Sequence, residues 1–304
     1  MSNLRDSVGL CIPYGRAGSQ YETQFDPGTG TLWGYFNPRQ GVPCFSVGLL
    51  KDIAAHEERF AASGGRLELH GESLEVEHYV VASRTPGVFN MGGDLALFAL
   101  LIRTQDRDAL QAYAQLCIDN GYRRVQNYDC PTLTTLSLVQ GDALGGGFES
   151  ALASDVIVAE ESAQMGLPEI LFNVFPGMGG LSLLARRIGM RAAEDLVLSG
   201  RVLSAAELHR MGVVDVLATD GQGEAAVRNW IEKNRKRRNG LQAVLRARHF
   251  IHPVTRAELD GIVSLWVDAA LRLTERDIRM MQRLVRTQML PSRRAPSGEP
   301  MLAA

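Results

Sequence analysis

Cysteine is scarce in this chain: four residues in 304, Cys11, Cys44, Cys117 and Cys130, with no C-x-x-C spacing between any two. A disulfide framework or a zinc ribbon is therefore not the basis of its stability, and reduced thiols in a cytoplasmic protein are expected. No apolar run approaches the roughly 18 residues of a membrane helix. The opening MSNLRDSVGLCIPYGR has too short an apolar stretch for a signal peptide, so no membrane partner is expected. Charge of either sign is not in excess: 32 basic against 34 acidic residues leave a formal net charge of -2. That balance, with no reader motif, gives no reason to expect nucleic acid. Also missing are a G-x-S-x-G elbow, an H-E-x-x-H pair, a Walker A loop and an intact G-x-G-x-x-G fingerprint. An elbow-type serine hydrolase, a zinc protease and a bound nucleotide cofactor are not expected. His249 and His252 stand three apart before Pro253, but lack further ligands, so no metal is expected either.

What is present is an ordinary globular composition, 45% hydrophobic and 22% charged, with length enough for one large domain or one domain and an appendage. Residues 1–25 read as a loosely held arm. Across residues 26–220, apolar strand candidates (TLWGYF, EVEHYVVA, LTTLSLVQ, DVIVAE, VVDVL) alternate with segments of helical periodicity, which implies an α/β core. Beyond residue 221 the texture becomes purely helical, with stretches at about 223–236, 240–250 and 255–289. The last carries Leu259, Ile262, Val263, Trp266, Ala270, Leu273, Met280, Met281 and Leu284. That face is too broad for an isolated surface helix, and must pack on the core or on another subunit. The tail 291–304, PSRRAPSGEPMLAA, has a disordered composition. KNRKRR (233–238) is the one dense basic run. It reads as a solvated helix face, or as a docking patch for an acidic carrier protein.

Chemistry concentrates in two segments, GDALGGGFES (141–150) and LPEILFNVFPGMGG (167–180). In the first, three glycines turn an apolar strand into a helix beginning near Gly146, whose first N–H groups lack intrahelical acceptors. A second glycine loop, FNMGGD (89–94), has the same strand-before, helix-after context. N–H donors from Gly93 and Gly146 would form a two-pronged hole for a developing oxyanion. Glu149 falls in the first turn of its helix, beside that hole, and Glu169 follows Pro168 in apolar company. A carboxylate in such surroundings tends to have a raised pKa and can act as acid or base near neutrality. The same residues have a plain structural reading: glycine turns are common, and a first-turn glutamate favours the helix dipole.

FNMGGD, VQGDALGGGFESALASDVIVA, GLPEILFNVFPGMGG and LVLSGRVLSAAELHRMGVVDVL, in that order and spacing, resemble the crotonase (enoyl-CoA hydratase/isomerase) superfamily. The resemblance spans about residues 75–220. It implies a spiral of ββα units with a C-terminal helical region (221–290) that trimerises and covers an acyl pocket. It puts Gly93 and Gly146 on the oxyanion-hole positions, and Glu149 and Glu169 on the two glutamates of the hydratases. Within the superfamily, PCFSVGLL, VVASRTPGVFNMGGDLALF, YAQLC and IVSLWVDAALRL with MMQRLVRTQ are similar to bacterial diffusible signal factor synthases, over most of residues 26–289. That implies dehydration of a 3-hydroxyacyl-acyl carrier protein, or acyl-CoA, to the cis-2-enoyl thioester. Hydrolysis would then release a free unsaturated fatty acid, a cell–cell signal. Leu144, Trp266, Met280 and Leu284 are the acyl-pocket residues so implied, no cofactor is called for, and a homotrimer or hexamer is expected. Two other readings stand beside it: an ordinary enoyl-CoA hydratase or isomerase of fatty-acid breakdown, and a regulatory partner of a sensor kinase receiver domain.

Overall fold

The structure, a computed structural model, describes residues 11–38, 41–69 and 71–288, with side chains through Arg283. The expected tail and residues 1–10 of the expected arm lie outside the described residues.

A seven-stranded sheet follows the order of the chain: Ile12–Tyr14, Tyr21–Asp26, Thr31–Phe36, His78–Ser83, Thr134–Val139, Val156–Glu160 and Val216–Ala218. The first three strands are antiparallel, and every later neighbour is parallel. Parallel pairing requires long crossovers; their helices pack on one face of the sheet, and the helix Gly223–Arg235, which follows the last strand, covers the other. Period-two alternation sends Leu32, Tyr79, Val81 and Ile157 into one core, and Trp33, Val80, Leu136 and Val158 into the other. This is why Thr134–Val139 is buried at every position.

Most crossovers contain a short strand of a second sheet before the helix. That sheet is ordered Val202–Ser204, Gln164–Gly166, Asp142–Leu144, Val88–Asn90, and its last three strands are mutually parallel. Helix α1 (Val47–Ala62) opens on Ser46, whose hydroxyl accepts the Leu49 N–H. Val88–Asn90 leads to α2 (Leu95–Arg103) and α3 (Arg107–Val125), both capped by aspartates, Asp94 and Asp106. Asp142–Leu144 leads directly to α4 (Gly146–Leu152). Gln164–Gly166 leads to the 3-10 turn Pro168–Phe172, and then to α5 (Gly180–Ile188), α6 (Met190–Ser199) and α7 (Ala205–Arg210). Strand, short strand, helix is the ββα repeat expected of the spiral. Beneath it, Arg124 of α3 and Glu57 of α1 form a buried ion pair at 3.0 Å, and Arg124 also reaches the Ser150 hydroxyl at 3.4 Å. Breaking one side of such a pair typically costs about 3–5 kcal/mol, so it ties α1, α3 and α4 together firmly.

Four C-terminal helices follow: α8 (Gly223–Arg235), α9 (Arg238–Ile251), α10 (Arg256–Ala270) and α11 (Glu275–Gln288). Among the described residues no helix is long and apolar enough to cross a membrane.

Three expectations change. The arm assigned to residues 1–25 contains the strands Ile12–Tyr14 and Tyr21–Asp26, with Tyr21, Thr23 and Phe25 buried. Its alternating pattern is that of an edge-region strand in polar dress. The helix expected over 255–289 is two helices, because Thr274 and Asp277 exchange hydrogen bonds that start α11 afresh. Finally, α8 is part of the core rather than a cover for the pocket. Its Val227 and Ile231 pack on the sheet face away from α1 and α3.

Candidate active site

Three adjacent parallel strands of the second sheet deliver the site from their C-terminal ends. Val88–Asn90 releases the loop holding Gly93, Asp142–Leu144 releases Gly145 and α4, and Gln164–Gly166 releases Pro168 and Glu169. Because the strands are neighbours, residues far apart in sequence arrive side by side. A Cβ built on Gly146 would lie 3.5 Å from the Gly93 nitrogen, and one on Gly92 would lie 3.0 Å from the Gly146 nitrogen. Among the described residues neither the Gly93 nor the Gly146 N–H donates to a protein acceptor, although neighbouring Gly92 and Gly145 do, to Asn90 Oδ1 and the Gly166 carbonyl. Both free donors line one cavity of about 420 Å³, within the usual size of a small-molecule site.

Glu149 and Glu169 line the same cavity. Glu149 Oε1 accepts N–H groups from Met178 and Gly180, at 2.8 and 2.7 Å. This clamps the carboxyl from the start of α5 and the loop before it. Gly180 is needed there, since a Cβ would meet Glu149 Cγ and Oε1 at 3.0 Å. Burial pushes the Glu149 carboxyl up to about 7, while the Gly180 and Met178 N–H groups restrain the rise. Glu169 lies against Gly145, where a Cβ would come within 2.6 Å of its Oε1. Its Oε2 is buried and has no hydrogen-bond partner among the described residues. Burial, and after it the Glu149 charge, lift the Glu169 carboxyl well above the ordinary carboxylate range. Two like charges in one apolar enclosure repel, so ionisation of one carboxyl disfavours ionisation of the other.

The remaining wall is apolar. Leu144 and Trp266 both line the cavity. Trp266 comes from α10 and lies over Gly177, whose hypothetical Cβ would be 2.6 Å from the indole Cγ. Phe98 packs between Trp266 and Tyr113, with ring centroids 5.0 Å from each. Met280, expected in the pocket, is a correction: it is 39% exposed, whereas Ile278 and Met281 are the inward residues of α11. On a helix a shift of one residue turns the side chain by about 100°, enough to move it from wall to surface. The side chain of Leu284 lies outside the described residues. Sequence reading missed Phe98, Tyr113 and Cys117. Their helical spacing marks a buried face of α2 or α3, but not the cavity it borders. Burial pushes the Cys117 thiol up and keeps it protonated, a poor nucleophile.

Two other features lie apart from the cavity. None of the residues in KNRKRR lines it. The run straddles α8 and α9 on the far face of the main sheet, with Arg235 paired to Glu232 and Arg238 to Glu77. His249 faces Asp155 at 3.6 Å, beside Arg248.

A sequence model described as enoyl-CoA hydratase/isomerase matches residues 67–286. Over 163 residues the chain is 34% identical to the mitochondrial methylglutaconyl-CoA hydratase of Mus musculus, 53% of this chain and 49% of that one. It thus spans about half the length of the curated relatives it matches. Among solved structures, an enoyl-CoA hydratase from Bacillus halodurans superposes with a TM-score of 0.69 at 17% identity, covering 87% of this chain and 100% of that one. Human mitochondrial delta3-delta2-enoyl-CoA isomerase gives 0.68 at 19%, covering 88% and 98%. At such identities the likeness concerns the fold, which is the α/β fold of the crotonase superfamily. The family match extends well past half of the sequence and takes in both glycine loops and both glutamates, so the chain belongs to the enoyl-CoA hydratase/isomerase family.

Proposed function

We propose that the cavity adds water to, and removes it from, the C2–C3 bond of an acyl thioester. The observation that carries this is the meeting of two carboxyls, both lifted above the ordinary range by burial, with two unengaged N–H groups on one apolar cavity. In the dehydration direction the Gly93 and Gly146 amides take up negative charge on the thioester oxygen as one carboxylate removes the C2 proton. The other, protonated carboxyl gives its proton to the departing 3-hydroxyl. The pair ends the step with the same total of protons, and water leaves. Interacting carboxyls exchange roles, so the two glutamates act as a pair in these transfers.

Enoyl-CoA hydratase chemistry, the alternative in the sequence reading, has the fuller support, because the relatives and neighbours carry hydratase and isomerase names. The signal-synthase reading rests on the resemblance over residues 26–289. It asks one further step of the same groups: a carboxylate activates water against the thioester carbonyl, and the two amides hold the tetrahedral oxyanion. An acyl carrier protein substrate, a receiver-domain partner and a cytoplasmic setting belong to that reading. Incubation with 3-hydroxyacyl thioesters of CoA and of carrier protein, followed by mass spectrometry, separates the two. Enoyl thioester alone is the hydratase result, free cis-2-enoic acid is the synthase result, and unchanged substrate from a folded protein contradicts both. Assembly into a trimer or hexamer is part of the proposal. It is supported by α9, which buries none of its residues and leaves Val244, Phe250 and Ile251 68–82% exposed. A monomer in sedimentation velocity would remove it.

A further inference from the structure

We propose that Tyr113 is a positioning residue for the Gly93 amide: its hydroxyl sets the direction in which that N–H meets the thioester oxygen. The inference rests on the reading of Gly93 as an oxyanion donor. Gly93 has no side chain to anchor it, and tolerates none, because a Cβ would fall 2.6 Å from the Phe98 ring. Its orientation must therefore come from the peptides on either side. Both are tied to Phe45, which bridges to Gly93 as an isolated parallel pair. On one side the tie is direct, with the Phe45 N–H donating to the Gly92 carbonyl at 2.7 Å. On the other it runs through Tyr113, whose hydroxyl accepts the Asp94 N–H at 3.1 Å and donates to the Phe45 carbonyl.

The phenol thus closes a loop of bonds around Gly93, from the Gly92 carbonyl through Phe45 to the Asp94 N–H, that leaves the Gly93 N–H unengaged. Asp94 adds a second restraint by capping α2 through the Leu97 N–H at 3.0 Å. Burial pushes the Tyr113 phenol well up, so it stays neutral at working pH and can donate and accept at once. Its ring lines the cavity, and the restraint therefore originates at the substrate wall itself. A displacement of an oxyanion donor by a fraction of an ångström weakens it in the transition state more than in the ground state.

Tyr113→Phe keeps the ring against Phe98 and deletes a single oxygen. In the full-length protein turning over an enoyl thioester, kcat is expected to fall about 10- to 100-fold. KM should change by less than about twofold, the signature of an interaction made in the transition state. The carbonyl stretching frequency of the bound thioester, lowered in the wild type by the two amides, should move back towards its value in solution. A purely structural role would lower the melting temperature and the folded fraction, while leaving the carbonyl frequency and the kcat of folded protein unchanged. That result, or kcat within about twofold of wild type, overturns the inference. If the wild-type protein neither turns over the thioester nor lowers its carbonyl frequency, the reading of the site falls, and this inference with it.

Discussion

Glutamine in place of Glu149 should cut kcat about 10²- to 10⁴-fold and, at pH 8, make the protein more stable to heat. The two effects share a cause. The folded chain holds the Glu149 proton up to about pH 7, against an ordinary value of 4.5. Between those values the unfolded chain has released a proton that the folded chain retains, so the stability contribution falls as pH rises from about 4.5 to 7, and stays lost above it. The full difference corresponds to about 3 kcal/mol, an upper figure that in a chain of this length means a few degrees in melting temperature. Glutamine carries no charge at any pH, and its oxygen can still accept the Met178 and Gly180 N–H groups that Glu149 Oε1 accepts now. The gain should therefore be largest at pH 8 and vanish near pH 4.5, and the pH dependence of the wild-type rate near 7 should be altered in the residual activity. Thermal melts at pH 4.5, 6 and 8 with steady-state kinetics test both halves. A variant less stable than wild type at pH 8, or one retaining a tenth of wild-type kcat, contradicts the assignment of Glu149 as a buried, ionising catalytic group.

The adjoining glycines should respond to alanine in different ways. A Cβ on Gly147 would stand 2.0 Å from the Asn90 carbonyl oxygen and 2.7 Å from its carbon. Those backbone atoms cannot retreat without parting Val88–Asn90 from Asp142–Leu144. Gly147→Ala should lose more than about 4 kcal/mol, the range of core backbone clashes, and fold poorly or not at all. At Gly146 the contact is with Met178 Sδ, at 2.7 Å, and a thioether can swing aside. Gly146→Ala should therefore fold. Its methyl group would nonetheless occupy the gap beside the Gly93 nitrogen, 3.5 Å away, where the proposed reaction places the thioester oxygen. Loss of kcat by about 10²- to 10³-fold is expected, as when one oxyanion donor is removed. Gly145→Ala combines strain with collision, for Gly145 has φ +51 and faces Glu169 Oε1. Near-normal kcat in Gly146→Ala would break the link between that gap and the chemistry.

Sequence patterns carried the core well where burial is two-sided. TTLSLV and VIVAE are buried along their length because both sheet faces are covered, and the glycines after TTLSLV mark its end. The glutamates stand out by their place beside glycine-rich turns. Other features depended on contacts that no local pattern encodes. Tyr113 meets Phe45 across 68 residues, so its helical spacing could not announce its task. Met280 faces outward for a geometric reason. Fourteen residues beyond Trp266 is about four turns, so an unbroken helix would put both on one face. The break between α10 and α11 resets that phase and turns Met281 inward instead. The T-x-x-D of Thr274 to Asp277 was a legible capping signal for the break. In the first 25 residues, Tyr21, Thr23 and Phe25 kept strand periodicity in a polar setting.

The most direct test is a crystal structure of Glu149→Gln with an enoyl thioester bound. The thioester oxygen should lie within hydrogen-bonding distance of both the Gly93 and Gly146 nitrogens, with C2 and C3 between residue 149 and Glu169. A thioester oxygen held elsewhere, or an acyl chain whose C2–C3 bond meets neither side chain, would contradict the account.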